Sequence, residues 1–233
     1  MSDLEAPAGW ALLRPWWPAG ATWQWHRLGM GSVLPYSLPA LEAVAVARAV
    51  PQRQAEFAAG RWCARQALQA LGVAPQPVPA GADRAPVWPA GVVGTISHDG
   101  GWCVAGVARC PPWRGLGIDV ERVERFGVGL ETTVCTPFEV QRHLQPCAAS
   151  ERRDALARIF SFKEAAFKAL YTSAQQWIDF QDAELLELPA GDCGPTLLRL
   201  LRPVAAWPAG QPLAGAVALA QGRVVSLLAL PGA

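Results

Sequence analysis

Apolar residues recur at helical spacing from Pro51 to Leu71, where Phe57, Ala64, Leu68 and Leu71 follow one another along the run. Pro51 suits a first helical turn and Gly72 follows the last apolar residue, so the pattern predicts a helix over 51–71. Arg61 and Arg65 lie four apart on it, and Arg53 sits one turn before Phe57. A turn-rich link from Pro75 to Pro89 gives way to β-rich runs at 92–97 and 102–108. Asp99-Gly100-Gly101 joins them, which is a hairpin signal. Leu116 to Glu121 predicts one more short strand. Helical spacing returns over about 137–144 and about 151–171. Near the end, 214–220 and 224–230 flank Gln221-Gly222 as a second hairpin. Before residue 50 the periodicity is weak. Trp16-Trp17-Pro18 and the run 21–26 read there as strand pieces of an edge hairpin with an aromatic face. The order helix, strands, strand, helix, strands predicts an α+β chain of two similar halves that meet near Pro111-Pro112.

Composition narrows this picture. The 233 residues are 52% hydrophobic and 17% charged, which argues against disorder, while 22 Gly and 21 Pro predict many loops. A net charge of +1 gives no broad basic footprint for nucleic acid. No apolar run is long enough for a membrane span. The acidic start Met1-Ser2-Asp3-Leu4-Glu5 does not read as a secretory signal. The six cysteines form no C-x-x-C pair and read as reduced thiols in a cytoplasm. Of the 20 basic residues only two are lysines, Lys163 and Lys168, in one short segment. A chain that uses Arg almost everywhere points there to a site that needs a compact ammonium.

Four constellations could carry chemistry. In Gly117-Ile118-Asp119-Val120-Glu121, a strand would present Asp119 and Glu121 on one side, as hard oxygen ligands for Mg²⁺ or as an ordinary exposed face paired to Arg122 or Arg125. In the run from Phe160 to Leu170, Glu164 and Lys168 lie four apart, as a third ligand with a phosphate donor or as a surface ion pair. In Thr95-Ile96-Ser97-His98-Asp99-Gly100-Gly101, Ser97 and His98 could donate to a phosphate, or the histidine could simply end a strand. A Ser-His-Asp hydrolase triad is not read there, because adjacent residues do not assemble one and no G-x-S-x-G elbow is present. Arg53, Arg61, Arg65 and Arg84 could grip phosphate bidentately or form a solvated face.

Taken in order, E-F-A-A-G-R, G-A-D-R-A-P-V-W-P, S-H-D-G-G, G-I-D-V-E and F-S-F-K-E-A-A-F-K-A resemble the Sfp/EntD-type 4'-phosphopantetheinyl transferases, in their EntD-like branch. The resemblance covers about Arg53 to Tyr171, and Thr136-Pro137-Phe138-Glu139 is similar to a further family step. It implies a monomer of two pseudo-symmetric α+β halves, 1–111 and 112–233, with the active site in the cleft between them. It implies transfer of 4'-phosphopantetheine from coenzyme A to a serine of an apo peptidyl, aryl or acyl carrier protein, releasing 3',5'-ADP. Siderophore assembly, such as an enterobactin synthase complex, is the favoured pathway, with nonribosomal-peptide, polyketide and fatty-acid synthesis also open. By the family pattern Asp119, Glu121 and Glu164 hold Mg²⁺. Lys163 and Lys168 contact phosphates, and Lys168 also stabilises the leaving group. His98, with Ser97 beside it, Arg53, Arg61 and Arg84 bind coenzyme A.

The chemistry is compatible with that pattern. A pyrophosphate ester needs a divalent cation, fixed donors and alignment more than covalent help. The attacking serine must lose a proton, to Glu164 or to a metal-bound water that Glu164 orients, and tight ligation favours the water. Asp99 departs from the pattern by placing a negative charge beside a phosphate site. Three rivals remain: a non-catalytic coenzyme A-binding protein, a Mg²⁺-dependent pyrophosphate hydrolase, and a scaffold whose Trp16, Trp17, Trp23 and Trp25 meet a partner.

Overall fold

The computed structural model describes residues 6–29, 37–127 and 129–232; the acidic start at Met1–Glu5 lies outside them. Strands β1 (Thr22–Arg27), β2 (Val92–Asp99) and β3 (Trp102–Arg109) form an antiparallel sheet in the order β1-β3-β2. Strands β4 (Trp113–Arg122), β5 (Ala183–Glu187), β6 (Cys193–Leu200), β7 (Pro212–Ala220) and β8 (Arg223–Pro231) form a second antiparallel sheet in the order β4-β8-β7-β6-β5. Helix α1 (Pro51–Ala70) covers the first sheet and helix α2 (Ala149–Ala174) the second. The architecture is therefore α+β, with two halves that each set one long helix on one antiparallel sheet.

Small side chains let α1 lie close. Ala59, Cys63, Ala64, Ala67 and Leu68 meet Cys103, Ala105 and Val107 on one face of β3. Alternation along β3 sends Val104 and Ala108 to the other face, where they join Trp10, Trp23 and Trp25. That cluster also takes Leu116, Ile118 and Val120 of β4, so one core glues the two sheets together. Trp10 is fully buried, with ring centroids 5.2 Å from Trp23 and 5.5 Å from Trp25. Trp23 and Trp25 are thus core, and Trp16 and Trp17 pack half-buried against the same cluster, which weakens the case for a scaffold surface built from the four. The expected N-terminal hairpin is corrected here. Ala11–Trp16 is a 3₁₀ turn with Pro15 inside it, and the lone strand β1 pairs with β3.

The opposite face of β4 carries Gly115, Gly117, Asp119 and Glu121 in alternation. A Cβ on Gly117 would come within 1.8 Å of the Ala165 carbonyl oxygen, and one on Gly115 within 2.1 Å of that of Ala169. The two glycines therefore let the backbone of α2 rest on β4. Glu164 and Lys168 arrive beside Asp119 for that reason.

Where β2 and β4 meet, side chains replace a backbone ladder. The amides of Ile118, Val120 and Arg122 donate to Thr95 Oγ1 (3.0 Å), Ser97 Oγ (3.3 Å) and Asp99 Oδ2 (2.8 Å). Every second residue of β2 thus caps every second amide of β4, and the two sheets are stitched along this seam.

Candidate active site

A cleft of about 750 Å³ opens between the two halves. One wall is the 83–88 loop with Thr95 and Ile96 of β2. The other is the outer part of α2 with residues 175–180. Trp88, Phe167 and Trp177 make much of the lining apolar, and Arg84, Glu164 and Lys168 add charge. Arg84 adopts φ 69°, a conformation that residues with a side chain seldom take. Its loop is fixed by Gly81 N–H to Ala85 O (2.8 Å), Arg84 N–H to Gly81 O (2.9 Å) and Ala85 N–H to Asp83 Oδ1 (3.0 Å). Across the mouth, the Tyr171 hydroxyl donates to Asp83 Oδ2 and clasps this loop to α2.

At the inner end, Lys168 Nζ donates to Asp119 Oδ1 (2.7 Å), Ser97 Oγ (3.1 Å) and the Ile118 carbonyl (3.1 Å). Ser97 donates to the same Asp119 oxygen at 3.0 Å. The other oxygen, Oδ2, is buried with no partner among the described residues. An unpartnered carboxylate oxygen at 2% residue exposure is costly unless something positive sits on it. Glu121 and Glu164 are both held up by burial first and by the Asp119 charge as well, and Glu121 is pushed up to about 8. Asp119 thus lies close enough to raise both, while Lys168 pairs with Asp119 and Arg125 Nη1 donates to Glu121 Oε2 at 2.9 Å. Among the described residues no group of three or more His, Cys, Asp or Glu side chains stands ready-made around a metal. The donor set nevertheless fits a hard divalent cation. It consists only of oxygens, one of them orphaned, and a cation would remove their mutual repulsion.

A second group lies on the α1 side of β2. Arg53 contacts His98 Nε2, and Glu56 lies 3.6 Å from His98 Nδ1 and 3.9 Å from Arg53. Burial, then the Arg53 charge, push His98 below the ordinary histidine range. Arg61 is buried beneath, its guanidinium 4.4 Å over the Phe57 ring and its Nε without a partner. Burial lowers it to about 10, so it stays charged at neutral pH. Arg65 belongs elsewhere, paired with buried Glu42. The structure thus brings Ser97 and Asp119 together behind Lys168, which lines the cleft with Glu164, and sets Glu121 two residues along the strand from Asp119. Arg53, Arg61 and His98 sit behind β2, and Arg84 on the cleft wall.

Three expectations are corrected. Lys163 does not reach a phosphate: it is fully buried, and its ammonium donates to Glu139 Oε2 (2.7 Å), Phe180 O (2.7 Å) and Val134 O (2.9 Å). Glu139 in turn closes a capping box with Thr136 and accepts Leu185 N–H at 2.7 Å, so the T-P-F-E step builds a buried girder. Ser97 is not a phosphate donor either, because its hydroxyl is spent on Asp119 and its lone pairs on Val120 N–H and Lys168. Asp99 is no intruder on a phosphate site. It is buried and receives Arg122 N–H (2.8 Å), Arg122 Nε (3.0 Å) and Arg125 Nη1 (2.9 Å). The alternating T-x-S-x-D polar face on an otherwise apolar strand is the signal that would have revealed this seam.

Comparison with known proteins agrees with the motif pattern. A family model for the 4'-phosphopantetheinyl transferase N-terminal domain matches residues 41–108, and one for the 4'-phosphopantetheinyl transferase superfamily matches 115–217. The chain is 43% identical over 164 residues to 4'-phosphopantetheinyl transferase Svp of Streptomyces mobaraensis, covering 70% of this chain and 65% of that protein. Identity is 35% over 144 residues to 4'-phosphopantetheinyl transferase PptT of Mycobacterium tuberculosis, with 62% and 63% covered. It is 42% over 121 residues to enterobactin synthase component D of Escherichia coli K12, with 51% and 55% covered. The chain spans a little under two thirds of the length of the first two relatives and about half of the third.

Proposed function

This chain belongs to the 4'-phosphopantetheinyl transferase superfamily, and we propose that it moves 4'-phosphopantetheine from coenzyme A to a serine of an apo carrier protein. The observation that carries the reading is the cleft whose inner end holds Glu164 and Lys168 against Asp119 with its orphaned oxygen. The division into halves 1–111 and 112–233 belongs to this reading, with the cleft as their shared site.

Coenzyme A is a polyanion with an apolar arm, and the cleft offers both kinds of surface. Arg84 lines the wall, while His98, Arg53 and the Arg61 guanidinium, whose Nε has no partner among the described residues, supply donors for phosphate behind β2. A divalent cation held by Asp119, Glu121 and Glu164, most simply Mg²⁺, would supply charge neutralisation on the pyrophosphate. Lys168 holds Asp119 and places its amine nitrogen at the cleft end, where negative charge grows on the departing oxygen. The serine oxygen forms a bond to the β-phosphorus as the bond to the 3',5'-ADP oxygen breaks. The serine proton passes to Glu164 or to a water that Glu164 orients, and the part Glu164 plays as a cation ligand favours the water.

The carrier is a peptidyl, aryl or acyl carrier domain; the enterobactin relative favours one from siderophore assembly. Among the described residues no helix is long and apolar enough to cross a membrane. We take the protein to act as a cytoplasmic monomer.

Intact-mass analysis of a panel of apo carriers, with coenzyme A and Mg²⁺, tests the reading. One phosphopantetheine should be gained on a carrier, and none with EDTA or with Asp119→Ala. Coenzyme A that binds without being consumed would identify a binder. Coenzyme A consumed with the carriers unmodified would identify a hydrolase.

A further inference from the structure

We propose that Ser97 is a positioning residue of the cation site: its buried hydroxyl pins one oxygen of Asp119 and leaves the other free for the ion. The inference rests on the reading of Asp119 as a cation ligand and adds a residue to which the sequence pattern gave a different task.

The argument is a count of protons and lone pairs. A serine hydroxyl has one proton and two lone pairs. Val120 N–H occupies one lone pair (3.3 Å) and Lys168 Nζ the other (3.1 Å). The proton then has one destination, Asp119 Oδ1 at 3.0 Å. Lys168 is closed in the same way, with its three protons directed to Asp119 Oδ1, Ser97 Oγ and Ile118 O. Both networks end on the same carboxylate oxygen, and the only open atom in the set is Asp119 Oδ2. A carboxylate turns easily about its last torsion. Two donors on one oxygen stop that rotation and fix the direction of the other. The serine is itself fixed, because its partner amide lies on the strand that carries Asp119. Ser97 and Asp119 are 5% and 2% exposed, so water does not compete for these bonds.

The test uses Mn²⁺ as the probe ion, titrated into the whole protein without coenzyme A and followed by the paramagnetic resonance of free Mn²⁺. Ser97→Ala and the nearly isosteric Ser97→Cys should weaken Mn²⁺ binding by roughly tenfold or more, the usual consequence of losing a ligand's supporting partner. Ser97→Thr, which keeps the hydroxyl, should restore it. Thr95→Val removes the neighbouring stitch of the seam and should lower thermal stability without moving Mn²⁺ affinity. Coenzyme A affinity in EDTA should be unchanged in both Ser97→Ala and Ser97→Cys.

Wild-type Mn²⁺ affinity in Ser97→Ala and Ser97→Cys would overturn the inference. So would weaker coenzyme A binding in EDTA with Mn²⁺ affinity intact, which would make the hydroxyl a direct ligand contact. An equal loss in Thr95→Val would assign the effect to the seam rather than to Ser97. If wild type binds Mn²⁺ no better than Asp119→Ala, the cation reading itself falls, and the inference falls with it. Should Ser97→Ala fail to fold, Ser97→Cys preserves the volume and decides the matter.

Discussion

Lys163 and Lys168 share one helix, but five residues rotate a side chain by roughly 140° around its axis. Only Lys168 can therefore share a face with Glu164, and Lys163 turns into the core against Glu139. Lys163→Met should destabilise the protein by about 3–5 kcal/mol, because it strands a buried carboxylate. Urea unfolding measures this. The fraction that remains folded should bind coenzyme A like wild type, which a phosphate-contacting lysine would not allow. Glu121 yields a pH prediction. Its folded-state value of about 8 lies above its ordinary value, so folding takes up a proton. The stability that this contributes is complete at low pH and is lost as pH rises towards 8, on the order of a few kcal/mol at most. Denaturant melts without divalent cation should show this decline, and Glu121→Gln should flatten it. The residue types of the proposed site, Asp119 and Glu164 among them, stand in the chain as local motifs. The direction of Lys163 and the task of Ser97 cannot be read there, because both depend on partners far away in sequence.

At the scale of elements, the two glycines of β4 decide whether α2 can deliver its charged residues. Gly117→Ala would drive a methyl group into the Ala165 carbonyl, which the helix can relieve only by lifting away. A loss of at least about 1–3 kcal/mol is expected, with transfer activity falling further than stability as Glu164 and Lys168 withdraw from Asp119. Thermal melts and carrier-modification rates measured on the same preparation would show the split. The strong periodicities of α1, α2 and the β2–β3 and β7–β8 hairpins reflect elements that bury one clear face. Strands β5 and β6 escaped notice because A-E-L-L-E has the composition of a helix and β6 includes Gly194 and Pro195. Both become strands through pairing, β5 on β6 and β6 on β7, which is a tertiary cause. Strand β1 likewise takes its place from β3 rather than from a local hairpin.

Over the whole molecule, the seam and the clasp hold the halves on opposite sides of the cleft. The seam is buried and spans Thr95 to Asp99, whereas the clasp is one exposed bond from Tyr171 to Asp83. Burial protects the first from water and leaves the second open to exchange. Tyr171→Phe should therefore leave the melting temperature near wild type. It should free the Arg84 loop and raise KM for coenzyme A roughly two- to tenfold at nearly constant kcat. Steady-state kinetics with carrier in excess would show it, and an equal fall in kcat would argue that the clasp also serves the chemical step. The two-half organisation could be seen from element order, but the cleft that the halves enclose could not, since its walls are loops and helix ends without periodicity.

The scarcity of lysine has a practical side. With one of the two ammonium groups at 0% side-chain exposure and the other at 28%, reductive methylation with isotope-labelled formaldehyde distinguishes them by reactivity alone. Protection is then the readout: Lys168 should react more slowly once cation, coenzyme or carrier occupies the inner end of the cleft, while Lys163 stays unmodified throughout.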